Sequence, residues 1–347
     1  MDASNRPGDT DAQTRVLKPI QGSPRAVLWR CTPNHIFTSR PSSGGSVSLT
    51  VTAHAALSHT PIMNDTVTSK DGTPISYLKL GEGPGVIILH GAMESARSHC
   101  ELAKALSDSF TVYLPDRRGH GRSGTYGPDF SIRKEVEDVD ALLSKTNSHF
   151  VIGVSSGAII ALNASLDLKA VHKAIIFEPP LMTDNLISAD WVDRYDREMS
   201  AGNVASALVT GMLGTQMGPP SLQRMPRWFL IMMTKLMMTL EGSSGGTEGP
   251  IPMKVLAPTL HYDVQLVIEM EGMPNDLLNA IDINILLLGG SKSPPYLKAA
   301  VDRLEKAIPN AKRVEFEGLH HGATGNKNRG GQPERVASEV KSFLGLE

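Results

Sequence analysis

The sequence predicts an α/β fold with a mostly parallel central sheet, interrupted by one all-helical insertion. Three observations predict it. From Met63 onward, short β-branched runs alternate with helical periods, the pattern of stacked βαβ units. One of those runs, Val86-Ile87-Ile88-Leu89, is continuously apolar, as a strand covered on both faces must be. Between residues 181 and 280 the strand signal fades while the helical period persists.

The elements follow in order. Asp65–Ser69 and Ile75–Leu80 flank an Asp71-Gly72 turn and predict an opening hairpin. After the Val86–Leu89 strand come a helix over Ser95–Ser107, a strand over Phe110–Leu114, a helix over Ile132–Lys145 and a strand over Phe150–Val154. A helix from Gly157 to about Asp167 and a strand over Ala174–Phe177 complete the first half. The rhythm resumes with strand Ile283–Leu288, helix Tyr296–Ala307, strand Lys312–Phe316 and helix Pro333–Phe343.

The insertion holds twelve of the fifteen methionines, among them Met232, Met233, Met237 and Met238. Its clearest helical segments are Ala189–Ala201 and Leu222–Leu240, with a Gly/Ser loop over Gly242–Gly246 after the second. A helical insertion between two strands reads as a cap over the carboxyl edge of the sheet, where open α/β sheets bind ligands. The chain thus divides into an N-terminal extension over 1–62, a core made of 63–180 and 281–347, and a cap over 181–280.

Composition narrows the function. The 347 residues are 40% hydrophobic and carry 34 basic against 36 acidic side chains, so the formal charge of −2 offers no electrostatic pull toward nucleic acid. No apolar run approaches the ~18 residues of a membrane span. Cys31 and Cys100 allow one bridge and no zinc site of the CxxC…CxxC kind, and no HExxH or EF-hand loop occurs, so neither metal nor cofactor is expected. Gly81-Glu82-Gly83-Pro84-Gly85 lacks the Lys-Ser/Thr and helix of a phosphate loop and reads as a turn.

Residues 1–62 are rich in Ser, Thr, Pro and Arg, with no Asp or Glu from Ala12 to Asn64. That reads as a low-complexity tail, an over-extended start before Met63, or a transit-like segment, although Asp2, Asp9 and Asp11 oppose the last. The expected location is the cytoplasm, or the mitochondrion if the segment targets it.

The sharpest chemical signal is Gly153-Val154-Ser155-Ser156-Gly157, placed between a predicted strand and a predicted helix. Small neighbours permit the strained turn that lifts Ser155 out of the sheet as a nucleophile. Two further motifs fall at strand ends: Leu89-His90-Gly91-Ala92 and Asp116-Arg117-Arg118-Gly119-His120-Gly121-Arg122-Ser123. A fourth, Gly318-Leu319-His320-His321-Gly322-Ala323, follows the last strand. Together, in this order, they make the chain from Met63 to Glu347 resemble an α/β-hydrolase with its cap after the sixth strand.

The resemblance implies a Ser-His-acid triad with Ser155 as nucleophile and His321, rather than its neighbour His320, as general base. It implies an oxyanion hole built by the backbone amides of Ala92 and Ser156, and it leaves His120 a structural loop residue. The acid departs from the family's commonest pattern. Gly289-Gly290-Ser291-Lys292-Ser293-Pro294, after the strand that usually precedes it, carries no carboxylate. Glu178, closing the previous strand, is the substitute, since some relatives place their acid there. Its other reading is an anchor at the lid entrance, with Asp184 or Asp263 as the remaining carboxylates.

The resulting expectation is a cofactor-independent serine hydrolase of an ester, lactone or thioester of a small apolar molecule. A flexible Met-rich cap with Trp191, Trp228 and Phe229 suits such a group, though methionines at helical spacing also suit plain cap core. A serine at the elbow argues against the dehalogenase and epoxide hydrolase branches, which use Asp. A C–C bond hydrolase or lyase, and a noncatalytic binding protein lacking its acid, are the alternatives.

Overall fold

The computed structural model describes residues 63–182, 186, 188–218, 221–242 and 251–345. The readings made for residues 1–62, for Asp184 and for the Gly/Ser loop beyond Gly242 lie outside them. The opening hairpin pairs β1 (Met63–Thr68) with β2 (Pro74–Leu80) in antiparallel register, Val67 opposite Ile75. Its turn is held where the Thr73 N–H donates to Asp71 Oδ1 at 3.0 Å, with Gly72 at φ +89°.

The rest of the core alternates: β3 (Gly85–Leu89), α1 (Cys100–Leu106), β4 (Thr111–Pro115), α2 (Ile132–Thr146), β5 (Phe150–Val154), α3 (Ser156–Asp167) and β6 (Lys173–Phe177). Among the described residues six helices then follow: α4 (Val192–Ser200), α5 (Val204–Gly214), α6 (Arg227–Gly242), α7 (Met253–Leu256), α8 (Thr259–Glu269) and α9 (Asn275–Asn279). Core elements β7 (Asn284–Gly290), α10 (Pro295–Ala307), β8 (Ala311–Phe316) and α11 (Pro333–Leu344) close the chain. The eight strands of the described residues form one sheet in the order β1-β2-β4-β3-β5-β6-β7-β8, parallel from β4 to β8.

The apolar runs of the central strands are explained by two cores, one on each face. Ile87, Leu89, Val151 and Ile176 point to the face covered by α2, α3 and α10, while Val86, Ile88, Ile152 and Ile175 point to the face covered by α1 and α11. Each such side chain contributes about 1.5–3 kcal/mol on leaving water.

Two predicted helices break where local chemistry competes. Over Ser95–Ser107, a 3₁₀ turn at Ala96–His99 precedes α1, and His99 sits at φ −121° because its buried ring is held by partners outside the helix. Over Leu222–Leu240, a 3₁₀ turn ends at Arg224 and α6 begins only after Pro226, which forces Met225 to an extended ψ of 144°. The methionines of α6 are not cap core: Met232 and Met237 are each 51% exposed, and Trp228 is 68% exposed. Helix α8 does reach the core, where Leu266, Val267 and Met270 join the cluster around α3. No helix among the described residues is long and apolar enough to cross a membrane.

Candidate active site

Ser155 sits between β5 and α3 with φ 54° and ψ −121°, a strained conformation for a residue bearing a Cβ. Its N–H donates to the Phe177 carbonyl at 2.9 Å, and its own carbonyl accepts from Ala158 at 2.9 Å. The turn is possible because its flanks are glycines. A Cβ on Gly153 would lie 2.4 Å from the Gly157 carbonyl oxygen, and one on Gly157 would lie 2.4 Å from the Leu89 oxygen.

Both contacts are with backbone, which cannot swing aside. Gly157→Ala is therefore expected to cost at least about 3 kcal/mol, read as a fall in Tm of roughly 6 °C or more by thermal denaturation.

The strand end at His90-Gly91 lies alongside. A Cβ on Gly91 would meet the Ser155 Cβ at 2.9 Å, so this glycine lets the two loops touch. His90 is fully buried; its Nδ1 donates to the Gly91 carbonyl at 2.9 Å and its Nε2 accepts the Arg117 N–H at 3.1 Å. Burial, His120 and Arg117 hold its basicity far below the ordinary range, so it is a neutral brace. His120 packs edge-on against it at 4.7 Å, and its Nδ1 bonds the Arg118 carbonyl. Ser156 opens α3, so its N–H belongs to the first helical turn, where amides lack intrahelical acceptors.

His321 and Glu178 meet. His321 Nδ1 lies 2.6 Å from Glu178 Oε2, with the histidine side chain 15% exposed and the carboxylate 1%. The second carboxylate oxygen, Oε1, accepts the Gly290 N–H at 2.6 Å. Glu178 also holds φ +45°, a region costly for a Glu, pinned by its N–H bond to the Leu288 carbonyl.

The segment lacking an acid after β7 is itself informative. A Cβ on Gly289 would stand 3.1 Å from Glu178 Oε1, so the glycine leaves space for the incoming carboxylate. His320, by contrast, is exposed and its Nδ1 accepts the Gly322 N–H.

Two clusters escaped the sequence. Arg117 is buried between Glu135 of α2, 2.8 Å from Nη2, and Asp263 of α8, 2.8 Å from Nη1, and Nη1 also donates to Ser156 Oγ at 3.0 Å. A signal existed: Glu135 and Asp138 occupy the same face of α2 as Val139 and Leu142, downstream of two consecutive arginines, Arg117 and Arg118. The second cluster joins Glu94 to His99, and no spacing announces it. Asp263, an alternative acid by sequence, faces Arg117 and Ser156. Among the described residues no group of three or more His, Cys, Asp or Glu side chains is placed to hold a metal.

Comparison with known proteins identifies the family. Residues 86–339 match the model of the alpha/beta hydrolase family, and the chain belongs to that family. It is 35% identical over 116 residues to the uncharacterized hydrolase YraK of Bacillus subtilis, covering 32% of this chain and 43% of that protein. It is 29% identical over 82 residues to a cis-3-alkyl-4-alkyloxetan-2-one decarboxylase of Shewanella oneidensis, covering 23% of this chain and 26% of that one. The alignments with these curated relatives thus span less than half of each. An alpha/beta hydrolase from Sphaerobacter thermophilus superposes with a TM-score of 0.65 at 29% identity, over 81% of this chain and all of that one. The esterase RhEst1 from Rhodococcus sp. superposes at 0.55 and 20% identity, covering 82% of this chain and 98% of that one, which shows the shared fold.

Proposed function

We propose that the protein is a serine hydrolase that cleaves an ester, lactone or thioester of a small, largely apolar molecule. The observation that carries this reading is the Glu178–His321 contact at 2.6 Å, on the same sheet edge as a serine held in an elbow turn. In this reading Ser155 Oγ attacks the carbonyl carbon while His321 Nε2 takes its proton. Glu178 keeps the other ring proton on Nδ1 and stabilises the imidazolium. The amides of Ala92 and Ser156 receive the oxyanion; His321 returns the proton to the leaving group, and water releases the acyl group by the same steps.

The helices between β6 and β7 serve as the cap in this reading. Ala92 and Met93 pack against the buried cluster of Tyr195, Ala207, Leu260 and Val264, an apolar wall beside the proposed oxyanion hole that suits an apolar acyl group. The noncatalytic alternative drew on a missing acid; the buried Glu178 carboxylate on His321 supports the catalytic reading over it.

The test is intact mass after treatment with a fluorophosphonate. One stoichiometric adduct is expected on the wild type and none on Ser155→Ala. A folded wild type that hydrolyses short-chain esters without forming an adduct at Ser155, or an equal adduct on Ser155→Ala, would overturn the assignment.

A further inference from the structure

Glu94 stands three residues beyond Gly91, inside the loop that carries Ala92. A single oxygen, Oε2, accepts the Gly91 N–H at 2.9 Å and faces His99 Nε2 at 2.9 Å. The other ring nitrogen of His99, Nδ1, lies 3.0 Å from the Thr324 carbonyl, three residues past His321. The two segments are sewn together again nearby, where Asn326 donates to the Ser98 carbonyl and Arg329 to Ser98 Oγ.

Both nitrogens of His99 face oxygens, and the Thr324 oxygen can only accept. With the Glu94 carboxylate ionised, both bonds form together only when the ring carries two protons. His99 is 1% exposed and Glu94 18%, so the pair acts in a medium where charges are poorly screened. Arg329, 3.8 Å from Glu94 Oε1, is the other charge facing it.

We propose that the Glu94–His99 pair is a positioning device for the reaction assigned above: it aims the Gly91–Ala92 peptide at the oxyanion and ties that loop to the loop bearing His321. Neither residue touches substrate; both act through Ala92 and His321, and the proposal rests on the serine hydrolase reading. Loss of the His99 proton sets a lone pair against the carboxylate, releases Gly91, and lets the amide of Ala92 drift from its aim.

The pH consequence has a definite sign. Burial works against the His99 charge, yet the Glu94 carboxylate and the Thr324 carbonyl raise its pKa above the usual value, while Arg329 works against it. Burial works likewise against the Glu94 charge, but His99, Arg329 and the Gly91 N–H pull its pKa below the ordinary carboxylate range. The pair is fully formed between the ordinary carboxylate pKa of 4.5 and the ordinary histidine pKa of 6.5, and dissolves as pH rises through the elevated His99 value.

The experiment measures kcat and KM for p-nitrophenyl butyrate against pH, with NMR titration of the His99 ring. Glu94→Ala is expected to lower kcat about 10–100-fold with KM within about twofold, because one oxyanion donor loses its aim. Glu94→Gln keeps an oxygen for Gly91 but no charge; it is expected to recover most of kcat near pH 6 and to move the alkaline limb down by about 1–3 pH units. An alkaline limb that stays in place in Glu94→Gln, or kcat within about twofold of wild type in a folded Glu94→Ala, overturns the proposal while the triad stands. Failure of the wild type to label and to hydrolyse removes the serine reading instead. The His99 ring then decides separately: a neutral ring at pH 6 in the wild type overturns the pair.

Discussion

Glu178→Gln is expected to lower kcat/KM by roughly 10⁴-fold with little change in Tm, which corresponds to about 5.5 kcal/mol of transition-state stabilisation. The magnitude follows from which atom of the new amide faces which partner. The Gly290 N–H bonds Glu178 Oε1 at 2.6 Å and accepts no substitute but another oxygen. The amide oxygen of Gln must take that place, leaving its NH₂ group toward His321 Nδ1. A donor there demands that Nδ1 accept, so the ring proton moves to Nε2, the nitrogen that takes the Ser155 proton in the proposed mechanism. The imidazole is then the wrong tautomer for a general base, although nothing has moved. Steady-state kinetics on a short p-nitrophenyl ester, with Tm as the control, checks it. A loss under about tenfold would overturn Glu178 as the acid of the proposed triad.

This prediction rests on a residue that the sequence nominated through an absence. No carboxylate follows strand Ile283–Leu288, and the nearest strand end with one is Glu178. The glycines standing in that gap have their reason only in three dimensions: Gly289 leaves room for the carboxylate and Gly290 donates to it. The core strands were legible because burial on two faces forces unbroken apolar runs, and the elbow was legible because its glycines are dictated by contacts as short as 2.4 Å. Both are local constraints written in neighbouring residues.

The helical insertion was less legible. Apart from α6 its helices are short, and Pro226 cuts one predicted helix in two. The face of α6 that carries Trp228, Met232 and Leu236 is exposed, so its composition does not reveal what it packs against. The charged clusters were least legible, because the partners of Arg117 stand 18 and 146 residues away and those of His99 stand 5 and 225. No periodic pattern couples residues at such separations.

Arg117→Met carries the second large expected effect, this time on stability. The guanidinium is 2% exposed, as are Glu135 and Asp263, and it donates to both carboxylates, to the His90 carbonyl and to Ser156 Oγ. Burial by itself disfavours each of these charges, and it raises the Glu135 pKa even against the pull of Arg117. Removing the cation strands two carboxylates in a low dielectric, where an uncompensated buried charge costs about 3–5 kcal/mol, a fall in Tm of roughly 10 °C.

Because desolvation offsets most of what a buried ion pair gains, replacing the whole cluster with apolar residues, as in Arg117→Met with Glu135→Leu and Asp263→Leu, should recover much of that loss. Asp263 Oδ2 and His120 Nε2 point the same way: both are buried without a hydrogen-bond partner and stand 3.9 Å apart, so the cluster is incompletely satisfied already. Its worth lies in what it joins, since Arg117 follows β4, Glu135 lies on α2, Ser156 begins the helix behind Ser155 and Asp263 lies on α8. Thermal denaturation of the single and triple variants, followed by their fluorophosphonate labelling rates, separates the two roles. A triple variant as stable as wild type but slow to label would assign the cluster to holding α8 over the elbow, whereas equal labelling would leave it a stabilising element alone.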